Sequence, residues 1–123
     1  MSATREIMHT GVYLRFFMHA NAKHRGMLLY EWILEQAKGE GLAGGSVFRA
    51  IAGFGRHGIL HEESFFELAG DLPLKVEFIL GEAETERLLA LVRASGAALV
   101  YARSPVAYGV LEAAPPRESG GAR

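Results

Sequence analysis

The chain contains no cysteine, a single tryptophan, four prolines and one aspartate, Asp71. Without cysteine there is no disulfide framework, thiolate metal site or thiol nucleophile, and the fold is indifferent to redox compartment. No excess of one charge is present either: thirteen lysines and arginines face fourteen acidic residues, a formal net charge of -1. Such a balance projects no long-range field toward phosphodiester backbones or anionic lipid, so neither nucleic acid nor direct membrane insertion is expected. Long apolar runs are missing too. The opening "MSATREIMHTG" has no unbroken apolar core of an export signal, and no stretch approaches the length of a bilayer span. The expectation is a cytoplasmic protein.

What is present is ordinary globular material. Hydrophobic residues make up 50% of the 123 positions and charged residues 22%, enough to bury one core in one domain. "VYLRFFMH" from Val12 alternates Val12, Leu14, Phe16 and Met18 with Tyr13, Arg15, Phe17 and His19, a first strand with bulky groups on both sides. After the polar connection "ANAKHRG", the segment "MLLYEWILEQAKGEG" sets Leu29, Trp32, Ile33 and Ala37 at helical spacing, turns Glu31, Glu35 and Lys38 outward, and offers Gly41 as its stop. "SVFRAIAGF" reads as a second strand, apolar on both sides except at Arg49 and therefore expected to be largely covered. Residues 55–71 form an elaborated connection with room for a short helix near 62–69. "LPLKVEFIL" is a third strand opened by Pro73, and "EAETERLLALVRASG" a second helix with an acidic first turn, a Leu88, Leu91 and Val92 stripe and Gly96 as cap. "AALVYAR" gives a fourth strand and "PVAYGVL" a peripheral fifth after Pro105.

The order strand, helix, strand, strand, helix, strand is that of an α+β ferredoxin-like βαββαβ two-layer sandwich. Residues 1–10 are expected to be an N-terminal extension, 11–111 the domain, and 112–123 a disordered tail too small, polar and proline-rich to pack. With both helices on one sheet face, the two-sided first strand leaves the other face apolar and bare. Self-association into a closed oligomer is the expectation.

The motif that invites chemistry is Gly53-Phe54-Gly55-Arg56-His57-Gly58. Its Gly-x-Gly-x-x-Gly spacing follows a strand, as in a dinucleotide fingerprint, with Glu77 or Glu82 available as a ribose-binding acid. The residues after it make only a ragged helical stripe, and too few strands follow for a doubly wound sheet. A glycine bend or bulge closing a twisted strand is the competing reading. His57 and His61, four apart with Glu62 and Glu63 nearby, have the spacing of a zinc pair on a helix, which Gly58 weakens. His19 and His24 flank the end of the first strand. Ser46 and Ser64 lack a nucleophile-elbow setting, Asp71 suits a turn, and Tyr30 and Trp32 read as core and interface, so no active site and no cofactor are indicated.

Two stretches, "LYEWILEQAKGEGLAGGSVFRAIAGFGRHGILH" and "LAGDLPLKVEFIL", together resemble the PII-like family known as domain of unknown function 190, over residues from Gly11 to Leu111. The resemblance implies a ferredoxin-like subunit, a homotrimer and effectors held in clefts between subunits. PII proteins carry a similar Gly-Phe-Gly-Arg at the end of their second strand. By that similarity Gly53, Phe54, Gly55 and Arg56 are ligand-binding candidates for a small anionic or nucleotide effector, and the adjoining His57 is taken with them. The second glycine- and lysine-rich phosphate loop of PII proteins is replaced here by "ASGAALVYARSP", and their long signalling loop by the shorter "RHGILHEESFFELAGD". A regulatory protein is implied whose 55–71 loop, bearing Phe65 and Phe66, meets a partner, with a membrane-transport protein the class suggested. Two other readings stay open: a metal carrier or enzyme using His57 and His61, and an interaction module without ligand.

Overall fold

The computed structural model describes residues 3–53 and 72–113. Strand β1 runs Arg5–His19, a small hairpin follows as β2 (Lys23–His24) and β3 (Met27–Leu28), then helix α1 (Leu29–Gly39), β4 (Ser46–Arg49), β5 (Pro73–Leu80), helix α2 (Glu82–Ser95) and β6 (Val100–Glu112). The four long strands form one antiparallel sheet in the order β4-β5-β1-β6. Without the small hairpin, this is the ferredoxin-like arrangement that the sequence predicts.

Strand parity decides where the core lies. Val12, Leu14, Phe16 and Met18 of β1 are buried with Leu74, Val76, Phe78 and Leu80 of β5, all on the same sheet face. Against them pack Leu29, Ile33 and Ala37 of α1 and Thr85, Leu88, Leu89 and Val92 of α2. Both helices therefore cover one face. Burial of each large apolar side chain is worth roughly 1.5–3 kcal/mol, so this single layer carries most of the fold's driving force. Thr85, the buried polar residue among those described, donates its hydroxyl to the Gly81 carbonyl at 2.8 Å and is satisfied.

Helix ends follow their sequence signals. Glu31, Glu35 and Lys38 are exposed on the outer face of α1, and Gly41 adopts a left-handed φ of 75° just beyond it. At the start of α2, Glu84 accepts a hydrogen bond from the Gly81 N–H at 2.9 Å, and Gly96 closes the helix at φ 79°. The buried stripe of α2 is shifted from the expected one: Leu89 and Thr85 lie inside, while Leu91 is half-buried.

Three elements depart from the sequence reading. The strand expected to be covered, from Ser46 on, ends at Arg49 and forms a sheet edge, with Phe48 49% and Ile51 91% exposed. Apolar composition cannot tell an edge strand from a central one. The expected fourth and fifth strands are one: β6 runs unbroken through Pro105, which an edge strand tolerates because one side of its backbone needs no ladder partner. The "polar connection" after β1 is the β2–β3 hairpin, turned by Arg25 and Gly26 at φ 52° and 80°, as a tight hairpin turn requires.

β1 also begins seven residues earlier than the alternation from Val12 suggests. Residues 5–11 pair with β6 alone, beyond the last β5 partner at Leu80, as a ribbon closed by an Arg5–Glu112 ion pair of 2.7 Å and a His9–Tyr108 stack at 5.1 Å. Gly11 sits where ribbon and sheet diverge: a Cβ there would collide with the Leu80 backbone carbonyl oxygen. Backbone cannot swing aside as a side chain does. Gly11→Ala is expected to lower stability by about 1–3 kcal/mol in urea melts, whereas Gly39→Ala, with open space around its Cβ, should not destabilise.

Candidate functional site at the exit of strand β4

β4, the C-terminal end of β1 and the N-terminal end of β5 meet at one end of the sheet. The Ala50 N–H bonds to the Pro73 carbonyl at 2.9 Å, and the Ala20 N–H bonds to the Leu72 carbonyl at 2.9 Å. His19 pairs with Pro73 in the ladder. These bonds fix the backbone that leads to Gly53, the first residue of the Gly-Phe-Gly-Arg segment. Gly53 is exposed there, and a Cβ on it would lie 3.7 Å from the Pro73 ring. Phe54, Gly55, Arg56 and His57 lie outside the described residues, as do His61, the Phe65 and Phe66 pair, Asp71 and the expected short helix near 62–69.

Charge at this end departs from the whole-chain balance. Residues 15–30 hold Arg15, His19, Lys23, His24 and Arg25, residues 43–53 hold Arg49, residues 72–76 hold Lys75, and none of the three segments contains a carboxylate. Lys23, Arg25 and Arg49 are exposed. Glu31 and Glu77 directly follow two of these segments, and Lys75 pairs with Glu77 at 3.0 Å, whereas Glu82, Glu84 and Glu86 sit on the first turns of α2 and Glu6 and Glu112 on the ribbon. Among the described residues this end of the sheet is thus richer in cations than the chain as a whole. Net charge hides such segregation, which appears only once the strand ends are brought together.

His24 packs against α1, with its Nε2 buried and without a hydrogen-bond partner among the described residues. Its ring stands edge-on to Trp32 at 4.6 Å, so it and Trp32 tie the hairpin to α1. Among the described residues no three of His, Asp and Glu stand close enough to hold a metal ion. The acids considered for ribose binding are committed to other partners. Glu82 and Glu86 grip Arg103 of β6 at 2.7 and 2.8 Å, and Glu82 follows the far end of β5, roughly 25 Å along the strand from Pro73. Glu77 lies mid-strand on the face away from the helices. With an antiparallel four-stranded sheet in place of a doubly wound one, the dinucleotide reading of Gly53-x-Gly55-x-x-Gly58 is set aside.

The helix-free face carries a second cluster, which pattern reasoning did not assemble. Tyr13 donates to Glu77 at 2.7 Å, Lys75 pairs with the same Glu77 oxygen at 3.0 Å, and the Arg15 guanidinium carbon lies over the Tyr13 ring at 4.0 Å while Arg15 donates to Ser104 at 3.1 Å. Around it Ile7, Phe17, Phe48, Ile79, Val100 and Val110 are exposed, placed on this face by register. The alternation of β1 signals the face, but the contacts need the register Arg15↔Glu77 and Tyr13↔Ser104.

The Tyr13 hydrogen bond, reinforced by Lys75 and opposed by partial desolvation, holds the Glu77 carboxyl below its ordinary 4.5, and the same bond raises the Tyr13 phenol above 10.0. A lowered carboxyl adds stability that is fully present above 4.5 and is lost as the pH falls through its folded value; a raised phenol adds stability present below 10.0 and lost as the pH rises through its folded value. Tyr13→Phe removes the shared bond. Urea melts across both limbs should show a shallower loss of stability for Tyr13→Phe than for wild type.

Comparison with known proteins places this architecture. The fold is that of a PII protein: the solved structure of CPII bound to ADP and bicarbonate, from Thiomonas intermedia K12, superposes with a TM-score of 0.55 over 83% of this chain and 91% of that one, at 16% identity. Residues 11–104 match the family DUF190, described as an uncharacterized ACR, and the chain belongs to that family. A UPF0166 protein of Aquifex aeolicus is 40% identical over 76 residues, 62% of this chain and 72% of the relative. A UPF0166 protein of Methanocaldococcus jannaschii is 32% identical over 76 residues, covering 62% and 69%.

Proposed function

We propose that this chain is a homotrimeric regulatory protein of the cytoplasm, which binds a small anionic effector in the clefts between subunits and signals through its 55–71 loop to a partner. Catalysis forms no part of this reading. The observation that carries it is the cluster of cations, without a carboxylate among described residues 15–30, 43–53 and 72–76, at the end of the sheet where Gly53 lies. An anion there meets exposed Lys23, Arg25 and Arg49, and Arg56 adds a planar fork suited to phosphate or carboxylate. Glycines in the bend let backbone N–H groups approach the same ligand. The shared fold with a structure holding ADP and bicarbonate makes nucleotides and small oxyanions the first candidates.

Self-assembly is supported by the apolar helix-free face. A monomer would leave Phe17, Phe48, Ile79 and Val100 in water around a polar centre. Among the described residues no helix is long and apolar enough to cross a membrane, so a membrane-transport partner would be met from outside the bilayer, through the loop.

Thermal-shift screening tests the effector. ADP, bicarbonate or another small anion should raise the melting temperature of wild type, and Arg56→Ala should abolish most of that rise. If no anion in the panel stabilises wild type more than Arg56→Ala, the effector reading falls.

A further inference from the structure

The β2–β3 hairpin is an addition to the βαββαβ order, inserted between β1 and α1. It is tied down at three points. The Leu29 N–H bonds to the Ala22 carbonyl at 2.8 Å, the Ala20 N–H fastens its root to Leu72 at 2.9 Å, and the His24 ring rests against Trp32 of α1. With His24 turned toward the helix, strand alternation places Lys23 on the opposite side, and Arg25 stands at the tip; both are exposed. Neither joins an ion pair among the described residues, although Glu31 is exposed on the first turn of α1. Arg25 is also the one non-glycine residue among those described with a positive φ, 52°, and Gly26 follows at 80°. Two successive left-handed residues make a two-residue hairpin turn, where asparagine or aspartate before glycine is the favoured pair. The turn thus carries an arginine that its backbone disfavours and whose guanidinium no described residue engages.

We infer that the hairpin tip is a second anion contact of the effector site, with Lys23 and Arg25 as ligand-binding residues, and that the effector carries two anionic groups. The inference rests on the effector reading above and adds to it a specificity element. Arg49 pairs in the ladder with buried Leu74, which places it on the helix-covered side of β4. The hairpin lies on that same side and at the same end, because β1 and β4 both run antiparallel to β5 and α1 begins where β1 leaves the sheet. β5 separates their roots, so the two sets of cations flank the sheet end two strand spacings, roughly 10 Å, apart. A single small oxyanion against Arg49 leaves the hairpin cations in water. A ligand with a second phosphate or carboxylate meets both sides and gains a charge-assisted contact at each. Docking of the hairpin on α1 means that little backbone freedom is lost when it binds.

Titration calorimetry with orthophosphate and pyrophosphate tests the contact. Pyrophosphate should bind wild type at least about tenfold more tightly than orthophosphate, and Lys23→Gln and Arg25→Asn should each weaken pyrophosphate about tenfold while leaving orthophosphate little changed. Without ligand, Arg25→Asn should melt no lower than wild type, because asparagine suits the left-handed position better. An arginine present only for the turn would show the reverse, a lower melting temperature with binding intact. Equal affinity for the two anions, no pyrophosphate binding to wild type, or pyrophosphate binding that survives both substitutions would each overturn the inference. The effector reading fails separately: an anion that needs Arg56 but neither hairpin residue leaves that reading standing and removes the hairpin contact alone.

Discussion

Replacing Phe16 by alanine should lower stability by about 3–5 kcal/mol, a large share of the roughly 5–15 kcal/mol that holds a domain together. Phe16 has no exposure and sits on the central strand, where its ring meets Phe78 edge-on at 6.2 Å and Tyr101 at 6.3 Å. Sheet and helices converge on it. Deleting the ring leaves a hole that backbone ladders on both sides, β1 with β5 and β1 with β6, prevent from collapsing. Phe16→Leu keeps most of the volume and should cost less than about 1.5 kcal/mol. Urea unfolding at fixed protein concentration measures both, since an assembling protein gains stability by mass action. A Phe16→Ala loss below that of Phe16→Leu would show that this layer is not the core.

The second large effect concerns the opposite face. Phe17 and Ile79 are the outward neighbours of Phe16 and Phe78, 38% and 47% exposed in the single chain, and both lie beside the polar cluster of Tyr13, Arg15, Lys75 and Glu77. The double substitution Phe17→Glu, Ile79→Lys should leave the fold intact, because neither side chain contributes to the buried layer. It should nevertheless dissolve the proposed assembly. Losing two apolar burials of roughly 1.5–3 kcal/mol each, and placing charges in the seam, predicts a rise of at least about a hundredfold in the midpoint concentration. Circular dichroism should be unchanged, and analytical ultracentrifugation should find monomers. An assembly unaffected by both changes would mean that this face is not its interface.

Much of the layered fold was legible because burial has a period. The alternation in β1 and β5 and the stripe of α2 report which side is covered, and Pro73, Gly81 and Gly96 mark where elements begin and end. What pattern could not report is lateral position. Whether "SVFR" lies at an edge or the middle, and whether Pro105 breaks a strand or rides its free side, depends on neighbours that only the assembled sheet supplies. The early start of β1 escaped for a related reason: "REIMHTG" pairs on one flank only and has no buried face to impose alternation. In the candidate site, glycine spacing and the PII resemblance singled out Gly53 and the residues after it, whereas the cations around Gly53 gave no such signal. These cations come from three separate segments whose positive charge is offset in the whole-chain sum by acidic residues elsewhere. The Tyr13, Glu77, Lys75 and Arg15 cluster was hidden likewise, since each residue alone reads as a solvated polar group.

The mass of the wild-type protein in solution decides most directly whether the helix-free face is a seam between copies. Sedimentation equilibrium at micromolar concentration should return three times the chain mass of 13.4 kDa, about 40 kDa. A single species at the chain mass, stable to increasing concentration, would contradict it.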